Sequence, residues 1–353
     1  MKIPMVMMHA GAGYHSPSNE KQYKKSMKEI CQNTMAKLNN GWTCVEALEY
    51  VIQQLENNSL TNAGIPGSNC TLDGYIECDA ALMTKHGIAS VAAVPMTSIK
   101  GPLDYHIHPN PITMVKLLYE YHLQGPDEVG RQPPLMLTGH HVHDFIKQTG
   151  IPMISGSDAF ELINTKQIKR YQNHLRILSE SIDTEDNDEF EDTVGCIVMD
   201  QFGEIATGVS SGGISLKRRG RVGEAAIPGA GIWVTTTSSS KAACSLSGTG
   251  EQIMKTMMAM NITTSLIHST NKPLTLGSLL THQFLNSALL GKDLHRNVGG
   301  IALVVEEDTV EGWWFHTTAS LCIAFQSGTS NPKFIMSRKT PGSKYSVSGQ
   351  TFI

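Results

Sequence analysis

The sharpest boundary in this chain lies at Thr193. From Asp183 to Asp192 most positions are acidic, with Phe190 as the one aromatic, and at Val194-Gly195-Cys196-Ile197-Val198-Met199 the sequence turns strongly apolar. A segment so rich in charge cannot bury enough apolar surface to offset the entropy of ordering it, so 183–192 is expected to be a flexible, solvated acidic linker. The apolar run behind it reads as a buried strand, followed by an Asp200-Gln201-Phe202-Gly203 turn and a second strand through Val209. Any fold this chain adopts must place a threonine at the start of a core strand, directly after a segment that can be cut away.

The remaining pattern alternates helices and strands. Ser16 to Ser18 offers a helix start, and Tyr23, Met27, Ile30, Cys31, Met35 and Leu38 recur at helical spacing until Gly41. Thr43 with Glu46 gives a capping-box signal ahead of the stripe Val45, Leu48, Val51, Ile52 and Leu55. Asn62 to Asn69 reads as a loop, Ile88 to Val94 as a buried strand, and residues 100–165 as mixed and helical. Further on come a Gly-rich loop (Gly212 to Gly231), a methionine-rich helix from about Glu251 to Met260, and strands at Ile301 to Val305, Trp313 to Thr318 and Leu321 to Phe325.

Charge and cysteine usage narrow the function. Against 32 Asp+Glu stand 28 Lys+Arg, a net charge of -4, which leaves no electrostatic footprint for nucleic acid or an anionic membrane. No apolar run approaches the ~18 residues of a membrane span, and Ile3 to Met8 is too short for a secretory core and fits a first strand. The 7 cysteines are odd in number and scattered, with no Cys-x-x-Cys pair, so the expected compartment is reducing, cytoplasmic or nuclear. Lys166, Lys169 and Arg170 are too sparse to form a basic localisation cluster.

Two tempting constellations carry little. His140, His141, His143 and Asp144 suggest a metal site, but on a helix His140 and Asp144 would share a face while His141 and His143 splay away, so no metal is expected there. Gly11-Ala12-Gly13, Gly229-Ala230-Gly231 and Gly248-Thr249-Gly250 each lack the third glycine of a dinucleotide fingerprint. Gly250-Glu251 at a helix start could instead face an anion that develops in a reaction.

Thr193 carries more. A hydroxyl is a poor nucleophile until a base takes its proton, and a threonine exposed as a new N-terminus brings its own base, an α-amine with a pKa of about 7.7–8.0. A threonine at the start of a strand, behind a removable linker, meets that requirement. Propensity alone reads the same residue as an ordinary β-branched strand residue.

The order Thr193-Val194-Gly195, Ser210-Ser211-Gly212-Gly213, Gly220-Arg221-Val222-Gly223 and Ser247-Gly248-Thr249-Gly250-Glu251 resembles the plant-type asparaginases of the N-terminal nucleophile hydrolases. His9 to Gly13, the Leu55 to Ser68 loop and Gly74-Tyr75-Ile76-Glu77-Cys78-Asp79-Ala80 extend the resemblance over nearly the whole chain. Within the family the threonine aspartase (taspase) branch is the nearest match, through Ala10 to Ser16, Thr61-Asn62-Ala63-Gly64, Ile76 to Ala80, Ser210 to Gly213 and His316-Thr317-Thr318.

The resemblance implies an α/β fold, a four-layer αββα sandwich, made as one domain over 1–353 that cuts itself between Asp192 and Thr193 into an α chain (1–192) and a β chain (193–353). It implies Thr193 as nucleophile with its freed amine as base, Ser211 as its orienting or relaying hydroxyl, and Arg221 as the substrate-carboxylate fork. Ser247 and Gly248 match the pair that supplies oxyanion and substrate contacts. The family's sodium-binding loop corresponds to Leu55–Gly64, a structural ion, and no other cofactor is implied. The implied assembly is an αβ heterodimer from one precursor, paired as a dimer of heterodimers.

Two departures separate the branches. Where asparaginases carry Gly before the nucleophile this chain has Asp192, and where they carry the Asp that holds a substrate α-amine it has Glu224. The expected activity is an autoprocessing threonine endopeptidase cutting protein or peptide substrates after an internal Asp. The alternative is an asparaginase or isoaspartyl peptidase acting on L-asparagine or β-aspartyl peptides.

Overall fold

The first strand, β1 (Met5–Gly13), is buried on both faces, and this sets the architecture: Met5 and Met7 face one apolar core while Val6, Met8 and Ala10 face another. A strand buried on both faces reads as a continuous apolar run. The computed structural model describes residues 2–180, 193–292, 295–307 and 309–352. The expected acidic linker 183–192, with Asp192, lies outside the described residues.

The strands that follow are β2 (Tyr75–Thr84), β3 (Gly87–Ser98), β4 (Met136–Thr138), β5 (Val194–Met199), β6 (Ile205–Ser211), β7 (Ile232–Thr236), β8 (Lys241–Gly248), β9 (Val298–Val305), β10 (Val310–His316), β11 (Ser320–Ser327), β12 (Lys333–Arg338) and β13 (Ser346–Phe352). They form an eight-stranded sheet in the order β12-β11-β1-β5-β6-β2-β3-β4 and a five-stranded sheet in the order β13-β10-β9-β8-β7. Pairing is antiparallel throughout except for β3 with β4.

Helices cover both outer faces. On the larger sheet lie α1 (Glu20–Asn39) and α2 (Cys44–Glu56), a single turn α3 (Gly64–Gly67), and α4 (Pro111–His122). Next come α5 (His141–Gln148), α6 (Gly156–Glu161) and α7 (Thr165–Glu180), and then α8 (Gly250–Thr256), α9 (Met258–Leu266) and α10 (Lys272–Ser278). On β8, Ala242, Cys244 and Leu246 pack with Met258, Ala259 and Ile262 of α9, whereas Ala243 faces the inter-sheet core with Met5, Met7, Ile197, Ile301 and Leu303. The result is the expected four-layer αββα arrangement. All 7 cysteines are buried thiols. No described helix is long and apolar enough to cross a membrane.

The helix signals hold where the physics is local. The Thr43 hydroxyl accepts from Glu46 N while the Glu46 carboxylate accepts from Thr43 N, a complete capping box. Three readings need correction. The 62–69 loop contains the turn α3. The methionine-rich helix breaks at Met257, whose φ is 46°, because Ala259 N and Met260 N donate to the Ala230 and Gly229 carbonyls rather than to their own helix. His140 precedes α5 as its cap, and positions three apart also share a helix face. His141 then comes within 3.5 Å of Asp144, while His143 turns inward to Pro95 O at 2.9 Å.

Candidate active site

At the centre of the larger sheet, three strand ends meet. Thr193 immediately precedes β5, Ser211 closes β6 beside it, and Gly248 closes β8 of the facing sheet. The two sheets are drawn together there by polar contacts. His9 Nε2 lies 3.0 Å from Ser245 Oγ, which donates to Gly208 O, and Thr207 Oγ1 donates to Cys244 O. Gly195 lies opposite His9 in the β1–β5 register, and a Cβ there would collide with Ser245 Oγ and His9 Nε2. The glycine two residues after the threonine is what allows the sheets to close beneath it.

The Thr193 side chain is 4 % exposed. Its Oγ1 lies 2.9 Å from Ser211 Oγ and donates to Glu224 Oε1 at 3.2 Å. Gly213 N donates to Ser211 Oγ at 3.0 Å. These bonds run in one direction: with Thr193 donating to Glu224, the Ser211 proton must point at Thr193 Oγ1. Glu224 opens a 3-10 turn over Glu224–Ala226 and is 3 % exposed. Burial pushes its pKa up to about 7, with the Asp79 charge adding to the rise and Arg221 and the Thr193 hydroxyl opposing it. Its Oε2 packs so closely on Gly250 that a Cβ there would collide with it.

Arg221 holds its planar group against Glu251 of α8, with Nε donating to Oε1 at 2.8 Å and Nη2 to Oε2. Nη1 lies on the opposite side, near Gly213 and Gly223. Thr193, Ser211, Arg221, Glu224 and Gly248, with Asn62 and Gly250, line one small hollow of about 10 Å³, room for roughly one water. Ser247 is placed differently from its expected partner Gly248: it is fully buried, and its Oγ accepts from Ala12 N at 3.0 Å, just past the β1 irregularity between His9 and Ala12. The serine thus ties the end of β1 to the second sheet.

Two contributors went unassigned in the sequence. Asp79, fully buried on β2, accepts from Ala93 N at 2.7 Å and from Gly223 N at 2.8 Å, so it pins the Arg221–Glu224 segment to the sheet. Burial raises its pKa, and Lys217, the two backbone donors and Arg221 oppose the rise. The available signal was a carboxylate inside the apolar run Ile76 to Ala81, which must find donors if it is buried. Asn62 donates to Gly213 O and accepts from Asn69 N, fixing the loop that carries Gly213. In the Leu55–Gly64 loop, the Leu55 and Asn58 carbonyls converge on the Thr61 hydroxyl, which donates to them at 2.7 and 3.0 Å.

The sequence matches the family described as asparaginase over residues 2–108 and 127–333. It is 27 % identical over 320 residues to an isoaspartyl peptidase/L-asparaginase of Mus musculus, covering 90 % of this chain and 86 % of that relative. It is 26 % identical over 274 residues to an isoaspartyl peptidase of Salmonella typhimurium, covering 74 % and 78 %. To a plant-type L-asparaginase of Pyrococcus abyssi it is 28 % identical over 269 residues, covering 73 % and 78 %.

Proposed function

The chain belongs to the asparaginase family of N-terminal nucleophile hydrolases, and from that premise we propose that it is a self-processing threonine endopeptidase of the threonine aspartase kind, acting after aspartate. Thr193 Oγ attacks the Asp192 carbonyl, the acyl group passes from nitrogen to oxygen, and water hydrolyses the ester to free the Thr193 amine. The same threonine, with that amine as base, then attacks the carbonyl of an internal Asp in a protein or peptide. The Arg221 guanidinium holds the aspartyl carboxylate through its pocket side. The working unit is the αβ pair cut from one precursor.

One observation carries the choice of substrate. A free amino acid or β-aspartyl substrate presents an α-ammonium that needs a carboxylate partner. Glu224 is buried, bonded to the Thr193 hydroxyl and half neutral at about pH 7. A carboxyl engaged with the nucleophile is a poor counter-ion for an incoming ammonium, and an internal Asp has no such group. The second reading, hydrolysis of L-asparagine or β-aspartyl peptides, is favoured by the names of the relatives.

The test has two parts. Mass spectrometry of the purified protein should find two chains meeting at Asp192–Thr193, and Thr193→Ala should give one intact chain. The cleaved protein is then offered a peptide spanning Phe190 to Gly195, L-asparagine and a β-aspartyl dipeptide, and the specificity constants are compared. Turnover of the small substrates with the peptide left whole would reverse the assignment in favour of the second reading.

A further inference from the structure

Self-cleavage poses a problem that the mature site does not. Until the Asp192–Thr193 bond is cut, the Thr193 nitrogen is an amide and cannot act as a base, so the hydroxyl proton must go elsewhere. We propose that Glu224 is the general base of the self-cleavage. Its carboxylate takes the Thr193 hydroxyl proton as Oγ bonds to the Asp192 carbonyl carbon. It then returns that proton to the Thr193 nitrogen as the carbon–nitrogen bond breaks, leaving an Asp192 ester on Oγ and a free amine. Water then hydrolyses the ester. This inference rests on the self-processing reading above.

The geometry is specific. Glu224 Oε1 lies 3.2 Å from Thr193 Oγ1, with both residues buried, within the reach a general base needs. The Thr193 hydroxyl donates to this carboxylate, and Ser211 Oγ, which accepts from Gly213 N, lies 2.9 Å away on its other side to donate to Oγ1 in turn. The His9 imidazole is unsuited to the task. His9 bonds through Nε2 to Ser245, and burial pushes its pKa down to about 3. The charged groups around Glu224 are Arg221 on its own segment, Asp79 and Lys217 behind it, and Glu251 across the arginine. Arg221 favours the ionised form and Asp79, itself offset by Lys217, opposes it. With a pKa near 7, a fraction of Glu224 is ionised at neutral pH and basic enough to accept a proton. The extra methylene relative to Asp is what brings the carboxylate to Oγ1.

The experiment follows full-length chain synthesised in a cell-free system, with the uncut fraction measured over time at pH 5.5 to 8.5. Wild type should cut faster as pH rises through about 7, where Glu224 ionises. Glu224→Gln should slow cutting by about 10²–10⁴-fold and flatten that rise, while melting near wild type. Glu224→Asp, which keeps the charge but shortens the reach, should fall between them and keep the pH dependence, and it serves if the glutamine variant fails to fold. Cutting by Glu224→Gln at the wild-type rate, or by Glu224→Asp at that rate with no pH dependence, overturns the proposal and leaves self-processing standing. Wild type that stays whole at every pH, as Thr193→Ala should, overturns both.

Discussion

Replacing Arg221 by lysine separates carboxylate recognition from folding. In the structure the guanidinium works on two sides: Nε and Nη2 hold the Glu251 carboxylate, and Nη1 lies toward Gly213 and Gly223 at the edge of the Thr193 hollow. A lysine ammonium is a point charge on a flexible stem and cannot grip Glu251 in a fork while presenting a second donor to a substrate. Losing one charge-assisted bond to the substrate costs about 1.5–3 kcal/mol, which is about ten- to 160-fold in kcat/KM. The structural half of the loss is smaller, because the Glu251 side chain is 46 % exposed and solvent screens the pair. That contributes less than about 1 kcal/mol, a melting shift of roughly 4 °C or less. The assay is kcat/KM on an Asp-containing peptide beside thermal melting of the same preparation. Activity within threefold of wild type, or a loss of activity matched by a large fall in melting temperature, would refute the assignment of Arg221 to the substrate carboxylate.

Gly195→Ala should destabilise the protein by about 1–3 kcal/mol, since the added methyl meets Ser245, His9 and the Gly208 carbonyl where the two sheets are closest, and calorimetry reads the loss directly. Unchanged melting would mean that the sheets can separate there at no cost. Glu56 is fully buried, and burial raises its pKa from 4.5 to about 8, so its folded state favours the neutral acid; that stabilisation is complete below pH 4.5 and is lost as pH rises through about 8. Glu56→Gln, a mimic of the neutral form, should therefore gain on wild type in melting temperature steadily from pH 4.5 to 8, and a margin independent of pH would contradict this.

Much of the frame was legible because its causes are local. The Tyr23 to Leu38 stripe, the Thr43–Glu46 cap and the apolar run Val194 to Met199 each state their structure within a few residues, and each appears as read. What local reading missed was imposed from a distance. Met257 takes a left-handed conformation because the carbonyls of Gly229 and Ala230, nearly thirty positions earlier, capture the amides that would have continued the helix. Strands β12 and β13 at the sheet edges are only partly buried, so their sequences lack the apolar runs that marked the central strands.

The site divides along the same line. Thr193, Ser211, Arg221 and Gly248 converge on one hollow because each sits at a strand end or turn whose position the sheet register fixes. Glu224 is the informative case. By sequence its extra methylene, relative to the aspartate of asparaginases, could be weighed only as a misfit for a substrate amine. Its actual partner could not be read, since that depends on how the turn at Glu224–Ala226 is held. Asp79 settles this by accepting from Gly223 N, which anchors the turn one residue before Glu224 and directs the carboxyl at Thr193 Oγ1. Asp79→Asn keeps the volume but replaces one acceptor oxygen by an NH₂ group facing a backbone N–H. If the anchor positions Glu224, self-cleavage should slow, and the dependence of its rate on pH should move with the lost negative charge to lower pH. An Asp79→Asn chain that cuts at the wild-type rate with the same pH profile would show that the turn holds Glu224 without the anchor.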